Sequence, residues 1–350
     1  SRPISAYLYK RPKLKLLSLI ALPMFWIVGV YIFSLFLLLI TAFWFVDPFT
    51  SKVIVGFTLE NFVSLFTVPA YLSTSIRTLL IALAVTGLSV LFAVPLGIYM
   101  AKIARPWVRN ALAVAITLPL WAGYLVKIIA MRLVFTEQGF FNWALAPFGL
   151  SGPTFSIPIV ILTLTYLWFP YMALPVFTAI RQIPSNLFDA SSDMGAKGFT
   201  TIYRVVMPLI IPAIIAGSVF TFSLSLGDYL AAKFTGGSTQ MIGSIIAANI
   251  NLNPPVAAAF SMVPIASHGR SSYRIIGADV IMLRLSRISR VILVALVAFI
   301  LIFMYVPLLV LVLNSFNQSN ISSWPVETFS FRWWEFAATY QPIRTALLNS

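Results

Sequence analysis

The chain has 350 residues, 60% hydrophobic and 9% charged, with a mean hydropathy of +0.96, which leaves too little polar surface for a water-soluble globule. Its net charge of +14 is spread over short loops between apolar runs rather than along a soluble face, which argues against nucleic acid as a partner. With no cysteine there is no disulfide, thiolate or cysteine-metal chemistry, and the lone His268 has no neighbouring ligand set.

A bilayer core about 30 Å thick needs about 20 apolar helical residues. Runs of that kind extend from Leu16 to Val46, from Thr78 to Ala101, and from about Asn110 to Met131 with Lys127 near the far end. A fourth covers about Ile157 to Ile180, a fifth about Val205 to Gly227, and a later one Val291 to Leu313. Arg2, Lys10, Arg11, Lys13 and Lys15 precede the first, so the positive-inside rule puts the amino terminus in the cytoplasm. Alternate loops are then basic as well, through Lys102, Arg105 and Arg109, through Arg181, Lys197 and Arg204, and through Arg270 to Arg290.

Five spans would leave the chain outside after Gly227, yet the arginine cluster from Arg270 belongs inside, so a sixth crossing is required. The apolar run before it, Pro254 to Ala266, makes a helix of only about 20 Å at 1.5 Å per residue. Extending it backwards takes in Asn249, Asn251, Asn253, Pro254 and Pro255, which are costly in lipid. Two readings stay open: a sixth helix shortened or replaced by the polar run Ser267 to Asp279, or a short helix sheltered by its neighbours.

The chain also repeats itself. Phe57, Thr58, Leu59 and Leu65 lead to Arg77, Thr78, Leu79 and Leu80, and later Phe329, Ser330 and Phe331 lead to Arg344, Thr345, Ala346, Leu347 and Leu348. Each set follows a long apolar helix. We therefore expect a first unit over residues 1–266, a basic cytoplasmic junction over 267–285, and over 286–350 the start of a second copy that stops inside its second helix. An opening Ser1 in place of methionine agrees with a fragment.

The loop from Arg181 to Arg204 holds the most telling residues. Pro184 and Ser185 look like a helix start with Ser185 as N-cap, Asp189 falls in the first turns, and Ala190, Ser191, Gly195 and Ala196 are small. Gly195 lets the chain turn sharply between two short helices, and Phe188, Met194 and Phe199 offer an apolar face to a partner. Pro208 is expected in the first turns of the fifth span, where its missing donor matters little. By itself such a stretch could be an ordinary connecting loop.

Its spacing resembles the EAA loop of ABC importer permeases: an acidic residue, two small residues, three variable positions, glycine, nine variable positions, an aliphatic residue, one more, leucine and proline. Asp189, Ala190, Ser191, Gly195, Val205, Met207 and Pro208 fall on those positions in register, departing by Asp for Glu, Ser for Ala, Val for Ile and Met for Leu. The resemblance implies an all-α, polytopic transmembrane domain of the type I importer kind, with about six helices, the sixth shortened, in a bacterial inner membrane. It also implies that the loop seats in a cytoplasmic ABC ATPase dimer. The remaining implied partners are a second permease subunit and an extracytoplasmic solute-binding protein. The chain has no G-x-x-x-x-G-K-[ST] run, so ATP is expected to be used by the partner, with no cofactor bound here and no enzymatic activity. Alternating access would follow, the loop carrying motion of the ATPase into the membrane helices. Pro158, Pro170, Pro175, Pro208 and Pro212 serve equally as gating points or as ordinary kinks.

Leu118 to Trp121 with Leu125 and Val126, Tyr166 to Pro175, and Leu226 to Tyr229 with Gly236, Gly237, Met241, Ile242 and Gly243 resemble the spermidine/putrescine branch of these permeases, parts of which ferric iron and thiamine permeases share. A polycation calls for a carboxylate on its route and for aromatic faces. Asp228 with Tyr229, at the outer end of the fifth span, and Trp121 with Tyr124 on the third are the candidates, against local capping by Asp228 and packing by the aromatics. A secondary transporter would instead show ionisable residues in mid-span, and these spans show few.

Overall fold

A computed structural model of the chain describes residues 20–21, 24–196, 198–266, 287–319 and 323–349. The expected basic junction over 267–285, with His268 and Arg270, lies outside them, as do the basic residues of the amino terminus. The protein is an all-α polytopic membrane protein. Among the described residues four helices are long and apolar enough to cross a membrane, or five when a bent pair is taken as one span. Contacts divide the chain into one unit of Ser1–Ser73 with Ile245–Ser267 and another of Thr74–Ser244 with His268–Ser350.

In the first unit, α1 (Phe25–Thr41) is π-helical over Phe25–Ile32 and ends before a small hairpin of β1 (Phe45–Val46) and β2 (Val53–Ile54). The apolar run read to Val46 therefore stops being helical at Thr41. Asn61, in the first turn of α2 (Glu60–Thr67), donates from Nδ2 to the carbonyls of Ala42 (2.9 Å) and Trp44 (2.7 Å) and so satisfies the end of α1. The other face of the unit is α12 (Pro254–Ala266), packed on α1 and α2, with Phe260 edge-on to Tyr71 at 5.0 Å. The Asn253 Oδ1 atom accepts from the N–H of Val256, so the asparagine that is costly in lipid acts as a helix cap. The short helix expected before Arg270 is thus present at its full thirteen residues.

The second unit is built on α3 (Pro69–Lys102), α7 (Ile157–Gln182) and α9 (Gly198–Leu226). Helices α7 and α9 share the broadest helix–helix contact. A Cβ on Gly217 of α9 would stand 2.8 Å from Met172 Sδ and 3.1 Å from Met172 Cα on α7, so glycine permits the approach. The sulfur can yield but the backbone cannot. Gly217→Ala should cost about 1–3 kcal/mol by overpacking, read as a lower midpoint of heat-induced loss of monodisperse protein in detergent. Several hydroxyls within these spans bond back one turn, as Thr163 does to Ile159 and Thr221 to Gly217, and so add no unpaired donor in lipid, whereas the buried hydroxyls of Ser89 on α3 and Tyr166 on α7 have no hydrogen-bond partner among the described residues.

Two expectations need correction. The third span is not one straight helix: α4 (Pro106–Thr117) runs through a 3-10 turn, Leu118–Trp121, and meets α5 (Tyr124–Val134) at 99°. Pro119 sits in that turn, and Ala122 and Gly123 are extended (ψ 133° and 142°), which ends the hydrogen-bond ladder. The fifth span begins not near Val205 but at Gly198, so Pro208 is well inside a continuous helix. A π-helical stretch, Ile202–Val206, lies directly before it, and the N–H of Met207 bonds the carbonyl of Ile202. The wider turn makes room for a proline ring that would otherwise press on the carbonyl four residues back.

The later apolar run forms α13 (Arg287–Asn314), which packs against α5. Phe299 and Phe303 meet Phe92 at 5.9 and 6.4 Å, Tyr305 Oη donates to the carbonyl of Ala115 (2.9 Å), and the N–H of Trp324 donates to the carbonyl of Gln138 (2.8 Å). The repeat has local counterparts. Thr58 N–H bonds the Phe43 carbonyl (2.8 Å) and Thr58 Oγ1 accepts from Glu60 N–H (3.1 Å); Ser330 N–H bonds the Phe316 carbonyl (2.7 Å) and Ser330 Oγ accepts from Arg332 N–H (3.1 Å). Both α2 and α14 (Arg332–Thr339) end on threonine, are followed by one extended residue, and lead into another helix, α15 (Gln341–Asn349) in the second case. Carried on at the same spacing, Arg77 falls opposite Asn349, so the Arg344–Thr345 pair is out of register with Arg77–Thr78.

Candidate functional site: an elbow between two helices and a buried carboxylate

The small-residue loop folds as an elbow. Its first arm, α8 (Ser185–Asp193), begins one residue earlier than a Ser185 cap would require: the cap position is Pro184, extended at φ −59° and ψ 144°. Gly195 then takes φ +73°. The N–H of Ala196 bonds the carbonyl of Ser191 (3.0 Å) and that of Gly195 bonds the carbonyl of Ser192 (2.9 Å), the paired bonds of a Schellman ending. A Cβ on Gly195 would meet nothing within 4 Å, so its backbone angle, and not close approach, demands glycine. The second arm is the start of α9. Ser191 and Thr201, both buried, hold the arms together through hydroxyls 2.9 Å apart.

The faces of the elbow differ. Met194 is 87% exposed and Phe199 79%, and Tyr203, Asp189 and Ala190 also point outward, whereas Ala196 is half-buried and Pro208 exposed. Phe188, expected on the partner face, is only 6% exposed and packs inward with Ile183 and Val206. Helical geometry accounts for this, because Phe188 and Ser191 lie three residues apart on one side of α8 and Asp189 lies off it.

A second feature joins residues far apart in sequence. Tyr124, at the start of α5, donates its hydroxyl to Asp228 Oδ2. Asp228 is 5% exposed, and its Oδ1 accepts from the N–H of Ala231 (2.8 Å) at the start of α10 (Leu230–Thr235). It therefore both caps a short helix and holds a half-buried tyrosine. The Tyr124 ring stacks on Trp168 of α7 at 5.9 Å and 22°, and Trp168 Nε1 is buried with no hydrogen-bond partner. Tyr229 is exposed beside this cluster in sequence, and Trp121 is 91% exposed at the break between α4 and α5. Tyr124 and Asp228 are thus brought together, Trp168 joins them, and Trp121 projects outward. Trp168 was legible only as one aromatic in the Tyr166–Pro175 run.

Residues 93–282 match the family described as the binding-protein-dependent transport system inner membrane component. The chain belongs to that family, whose members are membrane permease subunits of transporters rather than enzymes. It is 37% identical over 286 residues to the inner membrane ABC transporter permease protein YdcU of Escherichia coli K12, covering 76% of this chain and 91% of that one. It is 32% identical over 212 residues to the spermidine/putrescine transport system permease protein PotB of Haemophilus influenzae, covering 59% and 73%. Among solved structures, a bacterial alginate ABC transporter in complex with an alginate pentasaccharide-bound periplasmic protein superposes with a TM-score of 0.55 at 18% identity, over 83% of this chain and 94% of that one. That likeness is one of fold.

Proposed function

We propose that this permease conducts a polyamine of the spermidine or putrescine kind inward across a bacterial inner membrane, driven by ATP hydrolysed on a separate subunit. The observation that carries the substrate is the cluster of Asp228, Tyr124 and Trp168: a buried carboxylate beside stacked aromatic rings suits an ammonium and its methylenes. The name of the PotB relative supports the same class. The drive is taken up at the elbow, where Met194, Phe199, Asp189, Ala190 and the turn at Gly195 present an outward surface to a cytoplasmic ATPase dimer, with Ser191, Ala196 and Pro208 shaping its inner side and its exit into α9. In this arrangement the amino terminus is cytoplasmic and an extracytoplasmic binding protein delivers the solute. The local parallels between Thr58 and Ser330 support residues 286–350 as the opening of a sister permease.

A second reading is a permease for another small solute, ferric iron, thiamine or another organic ion, and of these an organic anion is favoured by Lys127. It is buried on α5 three residues from Tyr124, and a positive charge there opposes a polycation. Uptake of labelled spermidine by cells carrying the transporter decides between them. Competition by unlabelled putrescine and spermidine, with none by iron or thiamine, is the expected result, and the reverse pattern overturns the polyamine.

A further inference from the structure

Lys102 closes α3, where a lysine at a membrane edge ordinarily extends its ammonium into water. This one turns inward and is 1% exposed. Burying a lysine is costly unless the ammonium finds partners, and here they are specific. Its Nζ donates to the carbonyl of Ile183 (3.0 Å) and lies 4.7 Å from the centre of the Phe188 ring. Ile183 is the residue that closes α7, extended at φ −67° and ψ 122°, and its carbonyl belongs to the negative end of that helix. Phe188 is the inward residue of α8. One ammonium therefore ties the ends of three helices at the two-residue link, Ile183 and Pro184, through which α7 passes into the elbow.

We propose that Lys102 is a positioning residue that pins the elbow to α3 and α7, so that displacement of the elbow is passed into the membrane helices instead of being absorbed at Ile183–Pro184. This rests on the reading of the elbow as the ATPase-docking surface. Two features favour a transmitting role over simple packing. A methionine would fill the same volume without desolvating a charge, and the contacts of Lys102 fall on either side of the link, on the Ile183 carbonyl that closes α7 and on Phe188 in the first turn of α8.

Because the chain has no cysteine, Ser192→Cys on the exposed side of α8 gives a single site for a spin label. The transporter is assembled with its ATPase in lipid vesicles, with and without Lys102→Met. The expected result is parental recovery of bound ATPase, an unchanged half-saturating solute concentration, and a maximal uptake rate lower by about tenfold or more. Solute should no longer stimulate ATP hydrolysis, and the label should become more mobile. Phe188→Leu keeps apolar bulk but removes the ring face; it should act in the same direction and add little in the double variant. Parental maximal uptake in assembled Lys102→Met, or an unchanged label, overturns the proposal. If Lys102→Met does not accumulate, normal uptake and an immobile label in Phe188→Leu overturn it. Gly195→Val run in parallel reports on the elbow itself: ATPase retained there overturns the docking reading, whereas ATPase lost there with normal Lys102→Met overturns only the role of Lys102.

Discussion

Asp228→Asn should reduce solute uptake by about tenfold or more while leaving the amount of assembled transporter unchanged. The substitution is nearly isosteric: its amide oxygen can still accept from Ala231 N–H and the Tyr124 hydroxyl still has a polar neighbour, so the cap on α10 survives. Only the charge is removed. A buried carboxylate attracts a cation through a low effective dielectric, and a loss of about 1.4 kcal/mol in transition-state stabilisation already corresponds to tenfold. Tyr124→Phe separates the two functions of the cluster, since it keeps the ring stacked on Trp168 and takes away the hydroxyl. Initial rates of labelled-solute uptake, normalised to permease in the membrane, give the answer. Parental uptake in Asp228→Asn would reduce Asp228 to a cap that happens to hold a tyrosine.

The second large effect is expected at Gly195. A β-branched residue at φ +73° carries a cost of about 1–2 kcal/mol from the clash of its Cβ with the following carbonyl, and valine adds its own crowding. The Schellman ending would open and the second arm would leave α8 at another angle, carrying Met194 and Phe199 out of their common surface. Gly195→Val should therefore lose the ATPase on co-purification and lose uptake with it. Gly195→Asn, whose side chain tolerates the left-handed region, should keep most of both. Because a Cβ here meets nothing within 4 Å, a loss in the valine variant and not in the asparagine variant assigns the defect to backbone angle. Retention of ATPase by both variants would remove the elbow as the docking point.

Much of this was legible along the chain. The spans around Thr78–Ala101, Ile157–Ile180 and Val291–Leu313 were visible because an uncharged run of that length has few stable alternatives to a membrane helix, and they appear as α3, α7 and α13. The turn at Gly195 was visible because the small residues and the glycine keep a fixed spacing. Less visible was the break in the third span. The stretch from Asn110 to Met131 is uncharged but for Lys127 near its far end, and only Pro119 and Gly123 mark the 99° bend that starts a new limb at Tyr124. The inward turn of Lys102 was hidden for a related reason: a charge at the end of an apolar run reads as the edge of the membrane, whichever way its side chain points.

Composition was enough for the all-α membrane architecture, and the resemblance of one locally spaced motif to a known family for the class of protein and the loop expected to meet an ATPase, because each depends on residues close in sequence and the first on the bilayer's demand that backbone groups be satisfied within the segment. Which side chains of the loop face a partner, and which groups meet in the interior, depended on tertiary packing. Phe188 turns inward because α3 and α7 supply Lys102 and Ile183 beneath it. Tyr124 and Asp228, 104 positions apart, touch only because α5 breaks from α4 and α10 begins directly after α9. Such contacts leave no period or spacing in a sequence, since they are set by how separate helices pack against each other.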